Sequence, residues 1–371
     1  MIGRNRVYRG HMTTSSRSGT VLLFVVVLIL LALLAAFALL PQYVVFSPDG
    51  IDMVVPSLQE DGKAYSLEGT TAPQPYSGLV STTVEIAPPD YSLVKYGTSS
   101  GLNYMQCMYV PFKKVTSANL DSLLKEAERN SIKGIVFQMK DESGKLAWMS
   151  NVAAASSYAA NSAWDMAADV AEMKADNWYL VAELSCCVDD AMAAANPAAA
   201  LRDLSGQAYA DEVGTWVDPW NRDVRQYIVD LCTDLISMGF DEIILSHVEH
   251  PLSDVTYTRE IAASLDRTAA VMGFATSVRQ SLDKVLQESG AHLCADVSHD
   301  ILGTGINNGQ VFDNFLKVFD RLVIETETYS DDCKVFIEAH ADSTLRYVPR
   351  MTWTFGGGSW ILDSSVGAQK E

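Results

Sequence analysis

Between Gly214 and Pro251 the chain reads GTWVDPWNRDVRQYIVDLCTDLISMGFDEIILSHVEHP, and no other stretch restricts the fold so tightly. Asp218 and Asn221 flank Pro219 as helix-start signals, and Val224, Tyr227, Ile228, Leu231, Leu235 and Ile236 recur at helical spacing. Gly239 ends that helix. Phe240–Leu245 is then a short apolar run suited to a parallel strand covered on both faces, and the polar residues Ser246, His247, Glu249 and His250 follow it at once. A helix feeding a buried strand that ends in polar residues is one unit of a barrel or a doubly wound sheet.

The same alternation continues from Met105 onward. Strands are expected at Gln106–Val110, Gly134–Met139, Tyr179–Leu184, Glu242–Leu245, Val271–Thr276, His292–Asp296, Arg321–Glu325 and Lys334–Ala339. Helices are expected at Ser117–Asn130, Trp164–Ala175, Asn221–Met238, Thr258–Ala270, Val278–Glu288 and Phe312–Phe319. Eight strands with intervening helices give a (β/α)8 TIM-like barrel over residues 104–371. Thr326–Cys333 is too short for a full helix, so either the barrel is irregular there or one strand is misplaced.

Thr20–Leu40 is an uninterrupted apolar run of bilayer-spanning length. Its apolar core is longer than that of a secretory signal, which favours an uncleaved signal-anchor helix over residues 20–40, although Ala36-Phe37-Ala38 has the small residues of a cleavage site. Arg4, Arg6, Arg9 and Arg17 precede it, so residues 1–19 are expected in the cytoplasm and the remainder outside, in a single-pass plasma-membrane protein. Residues 41–103 mix proline, glycine, serine and threonine without a helical period and read as an extracytoplasmic tether with short strand-like stretches. Beyond the apolar run, 23 basic residues face 46 acidic ones, which argues against nucleic acid as a partner, because phosphate contacts need clustered Lys and Arg. The six cysteines have no C-x-x-C spacing, and Cys107, Cys232 and Cys294 lie in apolar runs as small buried hydrophobes. No motif calls for a cofactor: Gly356-Gly357-Gly358 lacks a phosphate-loop spacing, and neither Ser185 nor Ser246 has the context of a serine nucleophile.

Trp216, Val217, Asp218, Pro219 and Asn221, followed by Gly239, Phe240, Asp241, Glu242, Ile243, Val248 and Pro251, match a pattern of W-V-D-P-Y-N, helix and G-F-D-E-I-Q-F-D-Y-V-R-F-P. In this the chain resembles the "Putative glycosyl hydrolase domain" family of bacterial, often membrane-anchored TIM barrels. Weaker matches at Gly134–Gly144, Asn196–Gly206 and Ala295-Asp296-Val297 extend the resemblance over roughly Met105–Phe355. The resemblance implies a barrel that acts on or binds carbohydrate. The departures fall at strand ends: Ser246-His247 stand for the family's Asp-Tyr, Glu249-His250 for Arg-Phe, Gln138 for an Asp, and Glu183 for an Arg. Serine cannot ionise near neutral pH, so Ser246 cannot do the work of a carboxylate.

Active sites of parallel barrels gather at the C-terminal ends of the strands. Glycoside hydrolysis takes two carboxylates, and by position Glu183, Glu249, Asp296 and Glu327 are the candidates. Lys140, Trp148, Ser246, His247, His250, His299 and His340 are candidate substrate-binding residues on the same rim. Taken singly, each carboxylate reads more readily as a solvated loop acid or a helix cap, and each tryptophan as packing. A carbohydrate-interacting barrel, catalytically degenerate or with relocated carboxylates, is the expected function. The alternatives are a metal-dependent hydrolase using the histidine rim with Asp342, and a structural envelope protein.

Overall fold

The computed structural model describes residues 44–47, 50–53, 95–256, 267–298, 301, 307–326, 344–354 and 357–364. The expected membrane helix at 20–40, the strand at Lys334–Ala339, and Glu327, His299, His340 and Asp342 lie outside the described residues. Among the described residues no helix is long and apolar enough to cross a membrane.

The chain divides into two compact units, Met1–Thr83 and Val84–Glu371. In the first, β1 (Val44–Ser47) and β2 (Gly50–Met53) pair as an antiparallel hairpin. The second is a closed barrel of eight parallel strands: β3 (Gln106–Val110), β4 (Gly134–Lys140), β5 (Tyr179–Ser185), β6 (Glu242–Ser246), β7 (His292–Val297), β8 (Arg321–Glu325), β9 (Tyr347–Met351) and β10 (Trp360–Leu362). Each strand hydrogen-bonds to its neighbour in sequence, and β10 closes the ring onto β3. The α-helices among the described residues are α1 (Ser117–Arg129), α2 (Ala153–Ser157), α3 (Ala167–Ala175), α4 (Asp190–Ala195), α5 (Arg222–Met238), α6 (Arg267–Ser289) and α7 (Phe312–Val318).

Eight strands is the expected number, but one is not where periodicity placed it. Val271–Thr276 lies inside the single long helix α6, which runs without a break from Arg267–Ala270, the end of one expected helix, through the other; residues 258–266 lie outside the described residues. The run is apolar because α6 buries Val271, Met272, Phe274 and Ala275 together, and a helix buried on most of its surface has the composition of a strand. Gly273 allows this burial: a Cβ there would lie 2.6 Å from the Trp220 ring. The ring is completed instead by β9 and β10, neither of them expected. In β9 the sequence YVPRM puts a proline and an arginine inside a strand, which disguises it.

The α5–β6 unit forms as the sequence dictates. The Asn221 side chain accepts from the Asp223 N–H and caps α5, the apolar stripe from Val224 to Ile236 is buried, and Gly239 (φ 120°) turns the chain into β6. Strand alternation then sorts side chains into two sets. Outward residues such as Ile135, Phe137, Leu180, Ile243, Leu293 and Leu322 join the large core under the helices. Inward residues Cys107, Val136, Val181, Ile244, Cys294, Val323, Val348 and Ile361, one from each strand, fill the barrel centre.

Below that layer, at the N-terminal end, Glu242 and Arg321 form a fully buried ion pair at 2.9 Å. Tyr179 donates to Glu242, and Cys294 Sγ donates to its other oxygen at 3.1 Å. Residues 95–103 lie against this end: Tyr96 and Gly97 donate to Lys317 O, Thr98 donates to Asp320, and Asn103 O accepts from Arg321. Among the described residues the base of the barrel is therefore covered, and the opposite mouth is the end that carries the polar strand-end side chains.

Candidate functional site

Two residues beyond each member of the central apolar layer, every strand presents a side chain with a polar group to the C-terminal mouth: Tyr109, Gln138, Glu183, Ser246, Asp296, Glu325, Arg350 and Asp363. These residues are distant in sequence and meet only because the sheet closes. Arg350 organises them. Its Nη1 donates to Glu183 Oε2 at 3.0 Å and to Asp296 Oδ2 at 3.2 Å, and its Nε donates to Asp363 Oδ2 at 2.8 Å. The guanidinium lies 3.7 Å from the Tyr109 ring centroid, and the Tyr109 hydroxyl donates to Glu183 Oε1 at 3.2 Å. Planar stacking combined with three carboxylate contacts is a task for arginine rather than lysine.

One cation among three carboxylates leaves the cluster with more acid than it can keep ionised. Burial pushes the Asp296 carboxyl up to about 8, with Arg350 opposing and Glu183, Glu325 and Glu249 adding to the rise. Glu183 is also held above the usual carboxylate range, by burial first and against the pull of Arg350. Asp296, with 20% of its side chain reaching solvent, is thereby shifted toward the protonated form, the form that can donate. Glu183 is almost wholly buried, and both its oxygens are engaged.

Glu249 stands half-buried on the β6–α6 connection, accepts from Asn308 Nδ2 at 2.6 Å, and is raised by burial. Glu183, Asp296 and Glu249 thus share one mouth, the last two with some access to solvent. The other residues expected on the rim separate into two groups. Gln138, Ser246 and His247 belong to the mouth: Gln138 accepts from the Phe112 N–H and donates to Glu142, and His247 Nδ1 lies 3.1 Å from Ser185 Oγ. Lys140, Trp148 and His250 do not open onto it. Lys140 is fully buried, paired with Asp189 at 3.0 Å and donating to Ser185 O at 2.6 Å. Trp148 is fully buried and donates to Asp234 of α5 at 2.9 Å, so the ring packs against the outer helix layer. His250 is buried with Nδ1 against Pro251 O, and burial lowers its pKa to about 4.

Of the seven tryptophans, all within the described residues, Trp353 is the exposed one, at 44%, two residues past β9 on the mouth side. Among the described residues no group of three His, Cys, Asp or Glu side chains could hold a metal ion. Arg350, Tyr109 and Asp363 were absent from the expected site. For Arg350 the signal was the alternation in Tyr347-Val348-Pro349-Arg350-Met351, hidden by its proline.

A closed (β/α)8 barrel with an apolar centre, a covered base and a carboxylate-rich C-terminal mouth makes this a protein of the TIM-barrel class with acid side chains where such barrels place their sites. Residues 107–320 match the "Putative glycosyl hydrolase domain", and the chain belongs to that family. One solved structure agrees in fold, and two others are reported beside it as similar chains. The glycoside hydrolase domain of PgaB (BpsB) from Bordetella bronchiseptica is 11% identical, with 67% of this chain and 84% of that one covered and a TM-score of 0.50. A hypothetical protein from Ruminiclostridium thermocellum ATCC 27405 is 23% identical over 51% of this chain and 97% of its own, with a TM-score of 0.45. The glycoside hydrolase domain of PelA from Pseudomonas aeruginosa is 14% identical, with 67% and 84% covered and a TM-score of 0.36. No curated protein sequence matches the chain.

Proposed function

We propose that the C-terminal mouth binds a carbohydrate, such as a cell-envelope glycan, without cleaving it, and that residues 20–40 anchor the barrel to the plasma membrane with its bulk outside the cytoplasm. Family membership and the polar ring support the carbohydrate reading. The observation that carries the non-catalytic reading is the position of Arg350. A glycosidase sets a sugar between its two carboxylates. Here one Arg350 nitrogen occupies that position, hydrogen-bonded to Glu183 and Asp296 at once. The acid positions expected from the family pattern are Gln138 and Ser246, both in the ring and neither ionisable. Trp353 supplies an exposed aromatic face on the mouth side, suited to the apolar face of a sugar ring. The apolar run Thr20–Leu40 and the four arginines before it support the anchor and its orientation.

One observation favours a second reading, an active glycosidase with relocated carboxylates. Burial raises the Asp296 carboxyl toward its protonated form and leaves it partly open to solvent, as a general acid requires, and the half-buried Glu249 acts on it electrostatically. Incubating the chain with a glycan panel, and measuring retention and product release together, decides between the two. Retention without product supports the binding reading; product release abolished in Asp296→Asn supports the second.

A further inference from the structure

His247 has φ 50°, the left-handed region that side chains bearing a Cβ rarely adopt. The other non-glycine residues with positive φ among the described residues, Ser131, Ala159 and Asn177, each stand just past the C-cap of α1, α2 or α3, where helices routinely end this way. His247 follows a strand, at the mouth. A strained conformation at that place calls for a reason.

The hydrogen bonds around it favour one tautomer. Ser185 Oγ donates its one hydrogen to Val188 O at 2.9 Å, so its contact with His247 Nδ1 at 3.1 Å is made by an Nδ1–H donating to Oγ. Burial first, then the charges of Lys140 and Arg350 against that of Asp211, hold the imidazole neutral, with a pKa lowered to about 4. Nε2 therefore keeps its lone pair, and no side chain among the described residues donates to it. In the preceding residue, Ser246 Oγ is buried without a hydrogen-bond partner among the described residues, and it points into the ring because Ile244, two residues earlier, fills the barrel centre. A buried hydroxyl without a partner is costly unless a ligand completes it.

We propose that His247 Nε2 and Ser246 Oγ form a preset subsite for one hydroxyl group of a neutral sugar, the imidazole accepting the ligand O–H and Ser246 completing the pair. The subsite rests on the carbohydrate reading above and names the substrate class that its mouth selects. A ligand carboxylate is disfavoured there, since Nε2 presents a lone pair and Glu183, Asp296 and Glu325 line the same ring.

The test uses the full chain and neutral glucan, mannan and galactan hexasaccharides, with calorimetric titration and imidazole nitrogen NMR. His247→Asn keeps a group near Ser185 but removes the acceptor, whereas His247→Gln sets an amide oxygen near the Nε2 position. The expected results are an Nδ1–H spectrum, a loss of affinity of at least about tenfold for His247→Asn, a loss within about threefold for His247→Gln, and a clear loss for Ser246→Ala. An Nε2–H spectrum, or equal affinity in the Asn and Gln variants, overturns the subsite and leaves the carbohydrate reading standing. An Nδ1–H spectrum with no hexasaccharide bound by the wild-type chain overturns both.

Discussion

Replacing Asp296 by asparagine should make the chain more stable above neutral pH while leaving it unchanged in acid. The folded-state pKa of Asp296 is raised from 3.8 to about 8, so between those values the folded chain holds a proton that the unfolded chain has released. The sign follows. The contribution of this proton to stability is full below about pH 4 and is lost as the pH rises through about 8. At about 1.4 kcal/mol per unit, that interval sets a ceiling of about 6 kcal/mol. A fifth of the side chain reaches solvent and the titration is shared with Glu183, so about 2–3 kcal/mol is the working magnitude. Asparagine has the shape of the protonated acid and can still accept from Arg350 Nη1. Urea unfolding of wild type and Asp296→Asn at intervals from pH 4 to pH 9 gives a difference curve in which other titrating groups cancel. It should begin near zero and rise with pH in favour of the variant. A curve flat across the range, or one favouring wild type at pH 8, would refute the account of the mouth as an over-acidic cluster held by one arginine.

Arg350→Met leaves Glu183, Asp296 and Asp363 without their shared cation and should cost about 3–5 kcal/mol in urea unfolding at neutral pH; a cost below about 1 kcal/mol would show that the acids do not depend on it. Arg321→Met should cost a similar amount by breaking the buried pair with Glu242, while glycan affinity stays unchanged, because this pair lies at the opposite end of the barrel. The two tryptophans should separate stability from binding. Trp148→Phe should lower stability by about 1–3 kcal/mol through the lost hydrogen bond to Asp234, which then keeps only Ser150 as a donor of the two, with affinity intact, whereas Trp353→Ala should weaken glycan binding about tenfold and leave the melting temperature in place; the reverse pattern would move the sugar platform to Trp148.

Much of this architecture was legible in the residues. Gln106–Val110 and Arg321–Glu325 have their expected bounds, and α5 begins at its Asn221 cap and ends at Gly239, because caps, apolar stripes and strand-end polarity act locally. What was hidden is what closure creates. Glu183 and Asp296 are identifiable as strand-end acids, but their shared partner lies on β9, where Pro349 and Arg350 interrupt an apolar run. Alternation of inward and outward residues recovers Arg350 only after Val348 is known to fill the barrel centre. Trp148 misled for a related reason: proximity to a rim loop in sequence does not set the direction of a ring, and Asp234 on α5 draws it outward. The strand-like run Val271–Thr276 is apolar because α6 is buried against its neighbours, a tertiary cause that periodicity does not reveal.

The claim on which the rest depends is that Arg350 bridges Glu183 and Asp296 so that the mouth retains sugar instead of cutting it. Incubating Arg350→Met and wild-type chains with the same neutral hexasaccharides, and following free reducing ends beside retained ligand, tests it most directly. Retention without new reducing ends in the wild-type chain is the result expected. Reducing ends released by wild type, and lost in Arg350→Met, would contradict it by making the arginine part of a working active site.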